Sequence, residues 1–316
     1  MRYDALAAPL LLQVAAPLVL LARLALGRHR SRAAWLIEGA GTAVFLLALA
    51  AAGLWLVFPW LVSLLWLLLF PVAFLRSLRG LGSRPAWPGG ARGWTGAAIR
   101  GALAAAALAL ALHALAGRRE PDGPAVDLRF PLERGTYQVV NGGSTALVNA
   151  HLATLEEARF RAWRGQSHGV DIVALGRWGA RARGMAPRDP AAYAIFGAPI
   201  VAPCGGDVVT AVDGLADLSP PEVDREHMAG NHVILRCGDV WIVLGHMLSG
   251  SVCVREGDVV RPGQPLGAVG NSGNSDEPHL HVHAQRPGTR AEPLSGDPLP
   301  IRFEGHYLAR NAIVER

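Results

Sequence analysis

The chain has 316 residues, 51% of them hydrophobic, and a formal net charge of +5. Every basic residue is Arg, and no basic stripe with interleaved aromatics occurs, so the layout of charge excludes an evident nucleic-acid face. The three Cys (Cys204, Cys237, Cys253) form no C-x-x-C pair, which excludes a cysteine zinc site and leaves room for one disulfide whose partners the spacing does not choose.

Residues 1–116 are dominated by Leu, Ala, Val and Trp and predict an all-α transmembrane region of about four helices. Ala5 to Leu26 is long and apolar enough for one span. Ala34 to Phe74 is about twice the ~20 residues a span needs and reads as two helices broken near Phe58-Pro59-Trp60. Trp94 to Ala116 is the next, with Arg100 near its start. One connection carries Arg28, Arg30 and Arg32, another Arg76, Arg79, Arg84 and Arg92, and the one between carries no charge. Arg-rich loops stay in the cytoplasm. Both basic loops lie there only with the N-terminus outside, and four spans then return the C-terminal half to the outside. Glu38 and His113 fall toward helix ends, so the helices read as an anchor in the lipid bilayer.

Residues 117–125 read as a linker and residues 126–316 as one mainly antiparallel β domain. Short apolar runs separated by Gly, Pro and Asp recur about every ten residues. Examples are Tyr137–Val140, Asp207–Val212, His232–Leu235 and Val240–Leu244. Leu155 to Trp163 reads as a short helix or loop excursion, and Arg177 to Ala198, rich in Gly, Arg and Pro, as an insertion loop.

His279, His281 and His283 stand at every second position, so on a strand all three imidazoles share one face. Composition alone supplies roughly 0.4 H-x-H pairs in a chain with 11 His, so one pair says little; three in alternation just after the polar loop Asn271-Ser272-Gly273-Asn274-Ser275 say more. Imidazole is both a zinc ligand and a base near neutral pH. By themselves Asp171 would be a turn or cap residue and His246 a half-buried histidine; His227 and His232 read as ordinary loop and strand residues.

Three stretches together resemble the lysostaphin-type (LytM-domain) zinc metallopeptidases. They are Gly230–Leu235 with Leu244-Gly245-His246-Met247, then Val254–Gly267, then Gly270-Asn271-Ser272-Gly273-Asn274-Ser275-Asp276-Glu277-Pro278-His279-Leu280-His281. The likeness runs from about Val139 to about Gln285 and does not reach the helices. It implies a small antiparallel β core with a groove, one Zn2+ per chain and cleavage of peptide cross-links in bacterial peptidoglycan. It implies zinc ligation by His281 and Asp171, with His279 as base and His246 as its partner. Three protein ligands leave one tetrahedral position for water, as a catalytic site requires.

The remaining ligand departs from the family's H-x-G-x-D pattern. Ser167 stands four residues before Asp171, and His168 three before it, an odd spacing that on a strand puts the two on opposite faces. His168 with a bulge at Gly169 and His151 in Asn149-Ala150-His151 are both candidates. His283 reads as support behind the ligands. The resulting expectation is a zinc endopeptidase on the outer side of the bacterial cytoplasmic membrane. Its alternative is an inactive LytM-like module that binds or regulates at the cell envelope. A third reading, a lipoyl- or biotinyl-carrier barrel from the cadence of Gly257 to Gly267, lacks the Lys such carriers modify. Nothing in the sequence bears on oligomeric state.

Overall fold

The computed structural model describes residues 7–27, 29–79, 81–289 and 291–316. Ala5 and Arg28 lie outside them. Two compact units result, one within residues 2–115 and one within 116–316.

The first unit is helical. A π-helical stretch, Leu10–Ala15, runs into α1 (Ala16–Leu26), followed by α2 (Arg32–Ala52), α3 (Leu61–Ser77) and α4 (Gly90–Ala116). The break between α2 and α3 falls where Gly53 and Pro59 interrupt the apolar run. Three helical stretches are long and apolar enough to cross a membrane: Ala7–Leu26, Arg32–Ala52 and Gly90–Ala116. The expected span over α3 is shorter, at 17 residues, and carries Pro71 inside it. Large apolar side chains face outward, among them Leu68 at 70% and Leu26 at 67% exposure, whereas Leu24, Trp35, Leu46 and Trp66 pack inside. Some polar groups inside find partners: Trp35 Nε1 donates to Ser77 Oγ at 2.7 Å and Trp66 Nε1 to the Gln13 carbonyl at 2.8 Å. An outside of Leu is what a lipid environment favours.

The second unit is built on a nine-stranded sheet. Its principal strands are β1 (Thr136–Asn141), β2 (Val170–Leu175), β3 (Gly206–Val212), β4 (Asn231–Cys237), β5 (Val240–Met247), β6 (Val259–Val260), β7 (Leu280–Gln285) and β8 (Ile313–Glu315). They lie in the order β8-β1-β2-β7-β5-β4-β3-β6, every neighbouring pair antiparallel. The expected strands are therefore present, each extended by one to three residues. The stretch around Leu155 to Trp163 divides between a short helix, Ala153–Glu156, and a 3-10 segment, Ala158–His168. Residues 177–198 form a loop with two short 3-10 turns, pinned by a bridge between Ala182 and Tyr193. Cys204 and Cys237 form a disulfide, while Cys253 is free and exposed.

β7 is central, and its alternation does two jobs. Leu280, Val282 and Ala284 enter the main apolar core with Ile172, Leu244 and Ile242. His281, His283 and Gln285 take the other face, which is also buried. The 3-10 segment covers that face so closely that a Cβ at Gly165 would fall 1.6 Å from Gln285 Oε1. Replacing Leu280 by Ala should therefore lower the stability of this unit by about 2–5 kcal/mol. An unchanged denaturant midpoint would contradict that placement of β7 in the core.

Candidate metal centre

β2 and β7 pair with His281 directly opposite Asp171, and β5 places Gly245 opposite His281 from the other side. His151 enters from a 3-10 turn, Ala150–Leu152, whose start is capped by the Asn149 side chain. The ligand-capable atoms of His151, Asp171 and His281 lie within 4.8 Å of one another. His151 Nε2 is 3.4 Å from Asp171 Oδ2, and His281 Nδ1 is 2.8 Å from Asp171 Oδ1.

The protonation of these rings follows from their outer partners, because a carbonyl oxygen can only accept. Gln285 Nε2 donates to the Pro293 carbonyl at 2.7 Å, which turns Gln285 Oε1 toward His283 Nε2 at 3.3 Å. His283 Nε2 therefore carries hydrogen and its Nδ1 is a lone pair. That lone pair accepts from His281 Nε2 at 2.9 Å. His281 Nδ1 is then itself a lone pair, aimed at the Asp171 carboxylate. The same logic applies to His151. Asn149 donates its amide to the carbonyls of Gly143 and Gly169, so its Oδ1 accepts from His151 Nδ1 at 2.9 Å and leaves Nε2 bare. With both rings neutral, two imidazole lone pairs thus face one carboxylate. Such a set repels itself until a cation is added, and two neutral His with one carboxylate are a zinc donor set.

Asp171 is itself held in place. Asn141 Nδ2 donates to Asp171 Oδ2 at 3.0 Å, and its Oδ1 accepts from Arg310 Nη2 at 2.9 Å. Arg310 is buried and also donates to the carbonyls of Val140 and Leu147. A Cβ at Gly169 would lie 2.7 Å from His281 Cε1, so only glycine lets the chain pass this ring.

His279 and His246 stand beside the cluster, with ring centroids 4.7 Å apart. His279 Nδ1 donates to the Glu277 carbonyl at 2.8 Å, and its Nε2 lies 3.6 Å from Asp171 Oδ1. His246 Nδ1 donates to the Ser272 carbonyl at 2.9 Å. In its neutral form each ring therefore presents a bare Nε2. His246 adopts φ +60°, a left-handed conformation uncommon for a residue with a Cβ and typical of functional sites. The loop of residues 177–198 reaches this region through Arg181. Its buried guanidinium makes a bidentate pair with Glu277, the residue whose carbonyl orients His279.

His168 is not in the cluster. It ends the 3-10 segment before β2, and its Nδ1 is buried with no hydrogen-bond partner among the described residues. Sequence reasoning named His151, Asp171, His246, His279, His281 and His283, and all stand here. Asn141, Gln285, Arg181 and Arg310 escaped it. For Asn149, the N-x-H spacing was the available signal. For Arg310, which is 169 positions from Asn141, the sequence held none.

Residues 191–293 match the family model of peptidase family M23. The matched residues lie in the second unit. That segment holds His246, His279, His281 and His283, while His151 and Asp171 precede it. In fold, the chain is similar to a zinc-containing peptidase from Vibrio cholerae, at 18% identity and a TM-score of 0.32, covering 56% of this chain and 41% of that one. It is also similar to the catalytic domain of lysostaphin from Staphylococcus simulans, at 22% identity and a TM-score of 0.25, covering 40% of this chain and 74% of that one. A third similarity is to a putative peptidase M23 from Pseudomonas aeruginosa, at 20% identity and a TM-score of 0.27, covering 56% and 53%. The chain thus spans less than two thirds of the first of these. No curated protein sequence matches it.

Burial governs the charge of His151, His246 and His283. It pulls His151 down to about 4 and holds His246 and His283 well below the usual imidazole range. Burial opposes ionisation of Asp171, and protons on the surrounding His151, His279 and His281 are what would hold its carboxyl well below the ordinary value. In the unfolded chain these histidines take up protons near pH 6.5. The unfolded state then binds more protons than the native one, so stability rises with pH. The metal-free protein should lose stability as pH falls from about 6.5 toward 4, measured as a falling denaturant midpoint. A midpoint flat across that window would show that these rings are not buried neutral.

Proposed function

We propose that the chain is a membrane-anchored zinc endopeptidase that hydrolyses peptide cross-links of bacterial peptidoglycan on the extracytoplasmic side. The observation that carries this reading is the confrontation of three acceptor groups, His151 Nε2, Asp171 and His281 Nδ1, with their tautomers set by Asn149 and Gln285. These three would hold one Zn2+, with His151 rather than His168 as the first ligand. A bound zinc lowers the pKa of water toward ~7 and so supplies a nucleophile at neutral pH.

The chain's own residues account for the rest. His279, its Nδ1 tied to the Glu277 carbonyl, offers Nε2 as the acceptor for the water's proton and later returns that proton to the leaving amine. His246 is kept neutral by burial, which suits its Nε2 to orient the attacking water rather than to pair with a developing oxyanion. His283 and Gln285 hold the His281 ring from behind.

The helices of the first unit support the anchor, and the loop charges support an outward-facing second unit. The Cys204–Cys237 disulfide supports an oxidising compartment. Peptidoglycan peptide is the substrate that such a place offers to an M23 segment.

Purified full-length chain should hold one zinc. His151→Ala should lose it and His168→Ala should keep it. Gln285→Leu should weaken zinc binding by about 10–100-fold. His281→Ala should abolish release of peptide fragments from purified wall material. Hydrolysis that survives His281→Ala would overturn the proposal. Stoichiometric zinc with no hydrolysis of any wall preparation would instead favour the binding or regulatory module.

A further inference from the structure

The helical unit has its own cluster of charge. Glu38, on α2, is only 10% exposed at its side chain. Arg23 from α1 donates Nε to Glu38 Oε1 at 3.1 Å. Arg100 from α4 brings Nε to 3.9 Å from Glu38 Oε2, and His29 brings Nδ1 to 3.8 Å from the same oxygen. Arg30 lines the same cleft, a space of about 190 Å³. Two guanidinium groups therefore approach one carboxylate and a third lines the same cleft, so the cleft carries a surplus of two positive charges. Arg100 Nε is buried and makes no hydrogen bond among the described residues.

The cleft continues into a second one of about 300 Å³ that shares Arg23, Glu38 and Arg100 with it. This one is apolar, lined by Leu20, Ile37, Phe45, Leu103 and Ala107. It follows α4 from Arg100 to Ala107, about 10 Å at 1.5 Å per residue. A cationic mouth opening into an apolar trough has the chemistry of an amphiphile with an anionic head and a hydrocarbon tail. Charge in a membrane helix is costly enough to mark a working site. Basic pockets between membrane helices on the cytoplasmic side suit anionic headgroups. The loop charges assign the ends of α1 and α2 that carry Arg23 and Glu38, with the connection that carries Arg30, to that side.

We infer that this cleft is a binding site for an anionic phospholipid, its phosphate held by Arg23, Arg30 and Arg100 and one acyl chain lying in the trough beside Leu103. The inference rests on the reading of these helices as membrane-embedded, and sedimentation of the chain with membranes tests that reading separately. The site is tested on the full-length chain in zwitterionic detergent by native mass spectrometry. Phosphatidylglycerol, phosphatidylcholine of the same acyl chains, and inorganic phosphate are each titrated. Phosphatidylglycerol should be retained at least about 10-fold more strongly than phosphatidylcholine, a difference of ~1.4 kcal/mol. Arg100→Gln should erase that preference. Arg30→Gln, outside the ion pairs of Glu38, should reduce it without disturbing the fold. Leu103→Trp, which fills the trough, should weaken both lipids alike. Equal retention of the two lipids by the unaltered chain would overturn the inference. So would a preference that survives both arginine changes, or one that inorganic phosphate reproduces without lipid.

Discussion

Three electron-pair donors are aimed at one another in the second unit, and much of its architecture keeps them so. The neutral rings of His151 and His281 would turn their lone pairs away from the Asp171 carboxylate if they were free to rotate. They are not free. Asn149 fixes one ring and the His283–Gln285–Pro293 relay fixes the other. Arg310 and Asn141 secure the carboxylate. The repulsion is thus built into the fold and becomes attraction once a divalent cation enters.

That constraint explains features which otherwise look unrelated. The polar face of β7 must be buried, because solvent would hydrate the lone pairs and release the relay. The 3-10 segment over it must come close, which is why Gly165 and Gly169 stand where any Cβ would strike Gln285 or His281. The loop of residues 177–198 is pinned inward through a buried Arg181–Glu277 pair, so its attachment point is the residue that orients His279.

Much of this was legible in the sequence where periodicity carries the information. Alternation in Leu280–Gln285 placed the three histidines on one face, and the apolar runs marked β1, β3, β4 and β5. The apolar helices were legible as length and hydropathy, except that α3 begins only after Pro59 and is 17 residues long. What periodicity could not supply was the choice between His151 and His168. Spacing along one strand assumes that both residues belong to that strand. His168 ends a 3-10 segment instead, and His151 arrives from a separate turn, a tertiary fact with no local period. The partners that set tautomers were equally hidden, since Gln285, Asn141 and Arg310 act through contacts distant in sequence. In the helical unit, Glu38 read as interfacial because its three basic neighbours come from other segments.

The register that sets His281 opposite Asp171 joins positions 110 residues apart. Chain order therefore matters for biogenesis. As the polypeptide emerges, His151 and Asp171 appear early and have nothing to close on until nearly the whole of the second unit has followed. Metal capture would then be a late event, waiting for β7 to insert between β2 and β5. A chain that crossed a membrane before that moment would cross without an ion and take one from the compartment in which it finishes folding.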